Sequence, residues 1–258
     1  MRLLSKRGQT TAGYNVQIAV DDQHKLLVAV DVTQEGNDTQ QWVPMLEKAQ
    51  EILQSERLKG LGDAGYDNRE QLKQAEDLGI AVLVPIPKKN TAASKEGRFT
   101  RDPFSYDAEK DCYHCPQGEQ IARCGKTDNK NRNLYKSKRS TCKDCPLRTQ
   151  CLAKNAPVKK LERWAHEAVV ERHTERMKAA ADEMRKRSCL AEHPFGTLKH
   201  RAGMHPFLMR GLEKCQGEFS LMALCYNFTR VLNILGQEKL RDFCVQRAGN
   251  RQNNYQFA

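Results

Sequence analysis

Asp63 is the acidic residue whose position in the sequence best suits metal chemistry. It follows a short apolar segment, residues 58–61, and Gly65 comes two positions later in the stretch LGDAGYDN. A carboxylate at the end of a strand can face the cleft at the sheet edge, where a hard divalent cation can bind. Asp-x-Gly is also common turn chemistry. The sequence therefore leaves two interpretations open, an ordinary strand-to-helix turn and a metal ligand.

Six of the ten cysteines lie between residues 112 and 151, and five of them form two C-x-x-C pairs and one further position, Cys151. Each pair can direct two thiolates at one tetrahedral ion, and a structural zinc site needs four ligands. We predict that the zinc ligands are Cys115, Cys142, Cys145 and Cys151. Cys115 is preferred because it lies beside Pro116 and Gly118 in a turn-prone stretch, and Cys112 is the alternative. The other interpretation is a set of free cysteines in a loop.

A second acidic position opens the segment 191–211. Glu192 precedes Lys199 by seven residues, or two helical turns, so that both side chains can lie along one face of a helix. Basic residues around them give the region a positive field suited to phosphate; they are Arg187, Lys199, His200, Arg201 and Arg210. The alternative is a solvated helix end that carries a charge pair.

The composition narrows the class of protein. The 258 residues carry a net charge of +11, which favours a polyanionic partner such as nucleic acid, although a basic surface kept for solubility is the alternative. No segment approaches the ~18 apolar residues of a membrane helix, and the N-terminus has no apolar signal region. We therefore expect a cytoplasmic protein, in which ten cysteines indicate metal binding before disulfides.

The N-terminal third predicts an alternation of strands and helices. Strands are expected at 14–20 and 26–32, then a helix at 40–56 capped by Asp38 or Thr39, and a third strand at 58–63. A helix at 69–79, capped by Asn68 and ended by Gly79, precedes a fourth strand at 80–87. The order β-β-α-β-α-β predicts a mixed α/β fold of ribonuclease-H-like type that lacks its first strand.

The remainder divides into segments of different character. We expect a polar linker at 89–111, a small cysteine-rich module at 112–151, a long charged helix at 158–188, an apolar-faced helix at 208–236 and a frayed polar tail. The expected domains are therefore the first part of the core (1–90), the linker and cysteine-rich insertion (91–158), the helical part of the core (159–238) and the tail (239–258).

Several motifs in this order resemble bacterial insertion-sequence transposases, most of all the IS1182-type branch of the IS4/IS5-like DDE transposases. They are GYNVQIAVD, DAGYDN, the cysteine pairs, EHPFGTLKH and FLMRGLEKCQGEFSLMALCYNFTRVL. The resemblance runs from about residue 7 to 236. The combination is specific, whereas no single motif is.

The resemblance implies a ribonuclease-H-like core with an Asp-Asp-Glu triad that binds two Mg²⁺ or Mn²⁺ ions. Asp63 matches the second aspartate, Glu192 the glutamate and Lys199 the lysine of a Tyr-Arg-Glu-Lys signature. That signature is imperfect, because Arg185 and Ser188 occupy its tyrosine and arginine positions. The cysteine-rich module would be an insertion between Asp63 and Glu192.

The first aspartate of the triad has no match in this sequence. Related chains carry an Asp-Pro-Asp-like stretch before the segment MRLLSKRG, so the resemblance implies a C-terminal fragment with weak or no activity. Its implied partners are transposon ends, target DNA and a second copy of the chain, in a bacterial cytoplasm and associated with the nucleoid. The alternative is a catalytically dead, zinc-stapled nucleic-acid-binding remnant. A zinc-ribbon regulator is a third hypothesis, but it does not account for the motifs in residues 192–235.

Overall fold

The computed structural model describes residues 2–6, 9–87, 91–201 and 207–252. The chain forms two compact units. The first unit comprises Met1–Ile86 and His173–Ala258, and the second comprises Pro87–Arg172. In the described part of the chain, no helix combines the length and apolar character needed to cross a membrane.

The first unit begins with two antiparallel hairpins. Strands β1 (Arg2–Lys6) and β2 (Gln9–Gly13) pair with each other, and β3 (Asn15–Val20) pairs with β4 (Leu27–Thr33). The second hairpin agrees with the predicted strands at 14–20 and 26–32. The first hairpin was not predicted, because its polar residues lack the apolar alternation that indicates a half-buried strand.

Two helix–strand pairs follow. Helix α1 (Trp42–Leu53) leads to β5 (Lys59–Leu61), and α2 (Arg69–Asp77) leads to β6 (Ala81–Leu83), which is parallel to β5. The mixed α/β order is thus confirmed. Among the described residues, β3–β4 and β5–β6 are separate two-stranded sheets, and the ribonuclease-H-like type of the fold stays a prediction.

The helix ends test the predicted caps. The side chain of Asn68 accepts hydrogen bonds from the Glu70 and Gln71 backbone N–H groups, and Gly79 follows α2 with a φ of 71°, both as predicted. The predicted cap of α1 is wrong: its N-cap is Gln41, which makes no side-chain capping bond. Asp38 instead contacts β3, as described below.

The second unit contains a five-stranded antiparallel sheet in sequential order. Its strands are β7 (Ser105–Asp107), β8 (Cys112–His114), β9 (Gln120–Cys124), β10 (Arg132–Lys136) and β11 (Lys160–Trp164). Short helices precede and interrupt it: α3 (Ala92–Lys95), α4 (Arg139–Lys143) and α5 (Arg148–Cys151). The predicted linker therefore includes α3 and β7. A helix starting at residue 158 is wrong, since residues 160–164 pair with β10.

Four helices lie in the C-terminal part of the chain that the structure describes. They are α6 (Glu167–Ala179), α7 (Ala181–Arg201), α8 (Leu212–Leu235) and α9 (Gln237–Gln252). Helix α8 packs on β4, where Phe219, Tyr226 and Leu198 share a core with Leu27 and Val32. Gly236 ends α8 with a φ of 78°. The residues beyond it continue as α9 up to Gln252, so the expectation of a frayed tail is wrong for that part.

Candidate functional site

Asp63 lies two residues beyond the end of β5, where the chain turns towards α2. Its Oδ1 accepts a hydrogen bond of 2.8 Å from the Gly65 backbone N–H and opens a 3₁₀ turn, Ala64–Tyr66. The side chain is exposed. Asp63 therefore forms the strand-to-helix turn that the sequence allows. The hydrogen bond of this turn uses only one of its two carboxylate oxygens, Oδ1.

The carboxylate that the structure places near Asp63 is Asp38. Its Oδ1 accepts hydrogen bonds from Asn15 Nδ2 at 2.7 Å and from Gln17 Nε2 at 2.6 Å. A Cβ built on Gly65 would lie 2.9 Å from Asp63 Oδ1 and 3.6 Å from Asp38 Oδ2, so the two acids flank the same glycine. Sequence reasoning missed this role of Asp38, because its position before a helix is also typical of a cap.

Tyr66 connects this group of residues to helix α1. Its hydroxyl donates to Gln17 Oε1, and its ring packs on Trp42 with centroids 5.1 Å apart. Burial raises the pKa of Tyr66, and the negative charges of Asp38 and Asp63 raise it further. The hydroxyl therefore stays protonated and remains a hydrogen-bond donor at neutral pH.

Trp42 also explains the glycines that precede Asp63. A Cβ at Gly62 would lie 2.7 Å from Trp42 Cζ3, and one at Gly60 would lie 2.7 Å from Leu46 Cδ2. Both contacts are shorter than a real side chain tolerates. Glycine therefore lets α1 pack closely on β5 and fixes where Asp63 leaves the strand.

Glu192 is exposed on α7, whose buried residues include Pro194 and Leu198. Glu192 and Lys199 both lie on this helix and are two turns apart, as the helical spacing in the sequence predicts. The neighbouring His193 Nδ1 lies 3.3 Å from the Tyr226 hydroxyl, which donates to the Lys25 carbonyl in the β3–β4 turn. Asp38 instead binds the opposite end of β3. No group of three metal-ligating side chains in the described part of the chain includes Asp63 or Glu192.

The predicted DNA-binding residues are only partly visible. Arg187 is half-buried on α7, and Arg210 is exposed just before α8. The backbones of Lys199, His200 and Arg201 belong to α7, whereas their side chains lie outside the described residues.

Four cysteines of the second unit line one cavity together with Phe99, Phe104 and Ile121; they are Cys115, Cys142, Cys145 and Cys151. Burial raises the pKa of the Cys151 thiol and the Lys159 ammonium opposes this effect, while the other three sulfurs raise it further. The four sulfur atoms are not a group mutually within 4.8 Å. They share a cavity, and the zinc ion itself stays a prediction.

Cys112, the alternative ligand, lies on the other face of β8. Successive residues of a strand alternate between faces. Tyr113 belongs to the sheet's core, against which Cys115 and Cys151 also pack. Cys112 Sγ is instead 3.8 Å from His114 Nε2. Cys112 is therefore not placed to replace Cys115 at the four-cysteine cavity.

These features agree with the family to which the sequence belongs. Residues 4–228 match the family model described as Transposase DDE domain. The chain is therefore a member of the DDE transposases, enzymes of mobile DNA that use divalent metal ions, and its mixed α/β architecture is consistent with that fold. No curated protein and no solved structure matches the chain significantly.

Proposed function

We propose that this chain binds DNA and catalyses metal-dependent strand cleavage and transfer in transposition, on a ribonuclease-H-like core of the IS1182 type. The observation that carries the proposal is the position of Asp63 within a DDE transposase domain. Asp63 lies two residues beyond the end of β5, and Asp38 supplies a second carboxylate beside the same glycine, Gly65. The net charge of +11 supports binding to a phosphate backbone.

The acidic groups suit Mg²⁺ or Mn²⁺, which prefer carboxylate oxygens. Asp63 is exposed, and Asp38 keeps one oxygen on two amide donors while the other is on the side of Gly65. These two residues would hold the ion, with Glu192 as the further acid implied by the family. When bound, such ions activate the attacking oxygen and stabilise the leaving oxygen.

The chain's own residues position these groups. Asn15 and Gln17 hold the orientation of Asp38, and Tyr66 holds Gln17 from its other side. Such supporting hydrogen bonds orient metal ligands in proteins. Lys199 would contact a DNA phosphate near the reacting bond, and Arg187, His200, Arg201 and Arg210 would extend the positive surface.

The test is nicking of supercoiled plasmid by the purified chain in Mg²⁺ or Mn²⁺. The Asp63→Asn variant should lose about 100-fold or more of any metal-dependent activity, because it removes a charged oxygen ligand. Asp22→Asn is the matched control, since Asp22 is an exposed aspartate in the β3–β4 turn. Equal nicking by the Asp63→Asn variant and the unaltered chain would show that Asp63 is not a ligand.

A catalytically dead DNA-binding protein is the competing function. It is favoured by the separation of Glu192 from Asp63, which share no three-ligand group among the described residues. This alternative predicts retention of DNA on gels with no metal-dependent nicking, and equal DNA affinity for the unaltered chain and the Asp63→Ala variant.

We further propose that Cys115, Cys142, Cys145 and Cys151 bind a structural Zn²⁺. Four thiolates are a complete tetrahedral ligand set for zinc. All four cysteines are half-buried, and the Lys159 ammonium, which donates to the Cys151 carbonyl at 3.3 Å, would offset part of the negative charge of such a cluster. The ion would tie α4 and α5 to the end of β8.

We also propose that two copies of the chain pair through α8. Its outer face carries apolar residues with alternating spacings of three and four, the pattern of a coiled-coil seam; they are Leu221, Leu224, Phe228, Val231 and Leu235. Leu221, Leu224 and Phe228 are each about 60% exposed. A helix with the same seam is the partner that such spacing fits.

Sedimentation of the purified chain tests this dimer. Leu224→Glu should convert dimers into monomers, whereas Leu208→Glu should not, because Leu208 is 91% exposed and lies outside α8. A monomeric unaltered chain at micromolar concentration, or an unchanged dimer in Leu224→Glu, would rule out this seam.

A further inference from the structure

We propose that Asp107, Cys112 and His114 form a second metal site, for Zn²⁺ or a similar borderline divalent ion, separate from the four-cysteine cavity. In the described part of the chain they are the one group of three potential ligands whose atoms all lie within 4.8 Å of one another. None of the three has a role in the transposase function proposed above.

The backbone register of the sheet brings these side chains together. Asp107 on β7 pairs directly with Cys112 on β8. Cys112 and His114 are two residues apart on one strand and so share a face. Directly opposed residues of antiparallel strands have Cβ atoms about 5 Å apart, so all three side chains start from one small patch.

The ligand atoms converge on a single point. His114 Nε2 lies 3.8 Å from Cys112 Sγ and 3.7 Å from Asp107 Oδ2. A tetrahedral ion bound at about 2.0 Å from nitrogen and oxygen and about 2.3 Å from one sulfur separates these ligand atoms by about 3.3–3.5 Å. Small side-chain rotations therefore suffice to close the three groups on one ion.

Asp107 is held in a suitable orientation by its own loop. Its Oδ1 accepts hydrogen bonds from the Glu109 and Lys110 backbone N–H groups at 3.0 and 3.1 Å, while Oδ2 faces His114. Such fixing of a ligand by neighbouring donors is typical of metal sites. The carboxylate does not have to be reoriented when an ion enters.

The donor set indicates the class of ion. One thiolate, one imidazole and one carboxylate suit Zn²⁺ or Co²⁺ rather than Mg²⁺, which prefers oxygen alone. Cys112 is only 1% exposed, whereas the side chains of His114 and Asp107 are 36% and 25% exposed. The open side of the ion faces solvent, and a water molecule would complete the tetrahedron.

The site formed by Asp107, Cys112 and His114 is distinct from the four-cysteine cavity, because Cys112 and Cys115 belong to different faces of the sheet. Loss of either site should therefore leave the other intact. The two can be counted separately, so that failure of this inference can be told apart from failure of the four-cysteine proposal.

The experiment measures zinc per chain in purified protein after removal of loosely bound metal. The unaltered chain should hold two equivalents, and Cys145→Ser, His114→Ala and Asp107→Asn should each hold one. The double variant Cys145→Ser/His114→Ala should hold none. His166→Ala is the control, since His166 is an exposed histidine of the same unit, and it should hold two.

Cobalt substitution gives an independent readout of the site. Apo Cys145→Ser protein titrated with Co²⁺ should develop the visible bands of a tetrahedral site, and His114→Ala in that background should abolish them. Circular dichroism confirms that both variants are folded. Unchanged zinc content in His114→Ala, or no cobalt bands in Cys145→Ser, would overturn the proposal.

Discussion

Gln17 links the two sides of the candidate active site through one amide group. Its Nε2 donates to Asp38 Oδ1 at 2.6 Å, and its Oε1 accepts from the Tyr66 hydroxyl, while the residue is only 2% exposed. A buried amide with fixed donor and acceptor ends sets the orientation of both neighbours. The carboxylate of Asp38 therefore depends on a residue 21 positions earlier in the chain.

Replacing Gln17 by Met keeps the side-chain length and removes both hydrogen bonds. We expect a loss of about 1–3 kcal/mol in the free energy of unfolding, because Asp38 and Tyr66 lose buried partners. Urea unfolding should be followed by Trp42 fluorescence in a Trp164→Phe background, since Trp42 lies in the first unit and the chain has two tryptophans. Gln23→Met, at an exposed glutamine, should leave the midpoint unchanged.

Replacing Asp38 by Asn tests whether this residue acts at the metal. We expect metal-dependent nicking to fall by about 10–100-fold and the Mg²⁺ requirement to rise, because one anionic oxygen is lost beside Asp63. The measurement is nicking rate against Mg²⁺ concentration, with Asp22→Asn as control. A rate and a Mg²⁺ profile equal to those of the control would show that Asp38 has only a structural role.

Adding a methyl group at Gly62 should displace Trp42. The new Cβ would lie 2.7–3.0 Å from atoms of Trp42 and Val84. We therefore expect Gly62→Ala to lower the free energy of unfolding by about 1–3 kcal/mol, as overpacking does. Gly36→Ala is the matched change, because nothing lies within 4 Å of its Cβ. Similar melting temperatures for the two variants would contradict the close packing of α1 on β5.

His173 should make stability depend on pH. It is fully buried, its Nε2 lies 2.8 Å from the Val84 carbonyl, and burial lowers its pKa despite that hydrogen bond. In the unfolded chain His173 therefore binds a proton near pH 6.5, whereas in the folded chain it binds one only at lower pH. Stability should be fully present above that pH and should fall below it, by at most about 1.4 kcal/mol per pH unit.

The variant His173→Gln retains an N–H donor for Val84 and cannot titrate. Urea midpoints measured between pH 8 and pH 5 should decline less steeply for this variant than for the unaltered chain. His24→Gln, at an exposed histidine, should keep the original slope. An identical slope in His173→Gln would mean that other groups cause the acid sensitivity.

Removing zinc should destabilise the second unit. A structural zinc site contributes directly to folding, so Cys145→Ser or a strong chelator should lower the unfolding midpoint reported by Trp164 in a Trp42→Phe background. The change should be absent in Cys124→Ser, because Cys124 is exposed and lies outside the cavity. Equal midpoints with and without chelator would exclude a structural metal there.

Local signals predicted much of the first unit. The alternating residues of β3 and β4, the apolar stripe of α1 and the end signals Asn68 and Gly79 act over a few residues, so each can be recognised in the sequence. They predict the order of elements from β3 to β6 correctly, whereas the hairpin β1–β2 is not predicted. Their success reflects caps and patterns that need no distant partner.

Long-range pairing explains what the sequence did not reveal. The sequence predicts a long charged helix from residue 158, yet Arg132 pairs with Trp164 and residues 160–164 form a strand. The sequence predicts Asp38 as a possible cap from its position before α1, whereas its contacts with Asn15 and Gln17 span 23 and 21 positions. Such partners follow from tertiary packing and are not encoded in local spacing.

Helix α8 covers the edge of β4 that does not pair with β3. Its side chains form hydrogen bonds with the backbone groups of β4 that a neighbouring strand would otherwise bind. Asn227 accepts from the Leu27 N–H and donates to the Leu27 carbonyl, both at 2.8 Å, and Gln216 accepts from the Val32 N–H. Leu27 and Asn227 are 200 residues apart. At a synthesis rate of about 5–20 residues per second, the nascent hairpin waits about 10–40 s for its cover. During that time the unpaired edge of β4 is open to pairing with strands of other nascent chains.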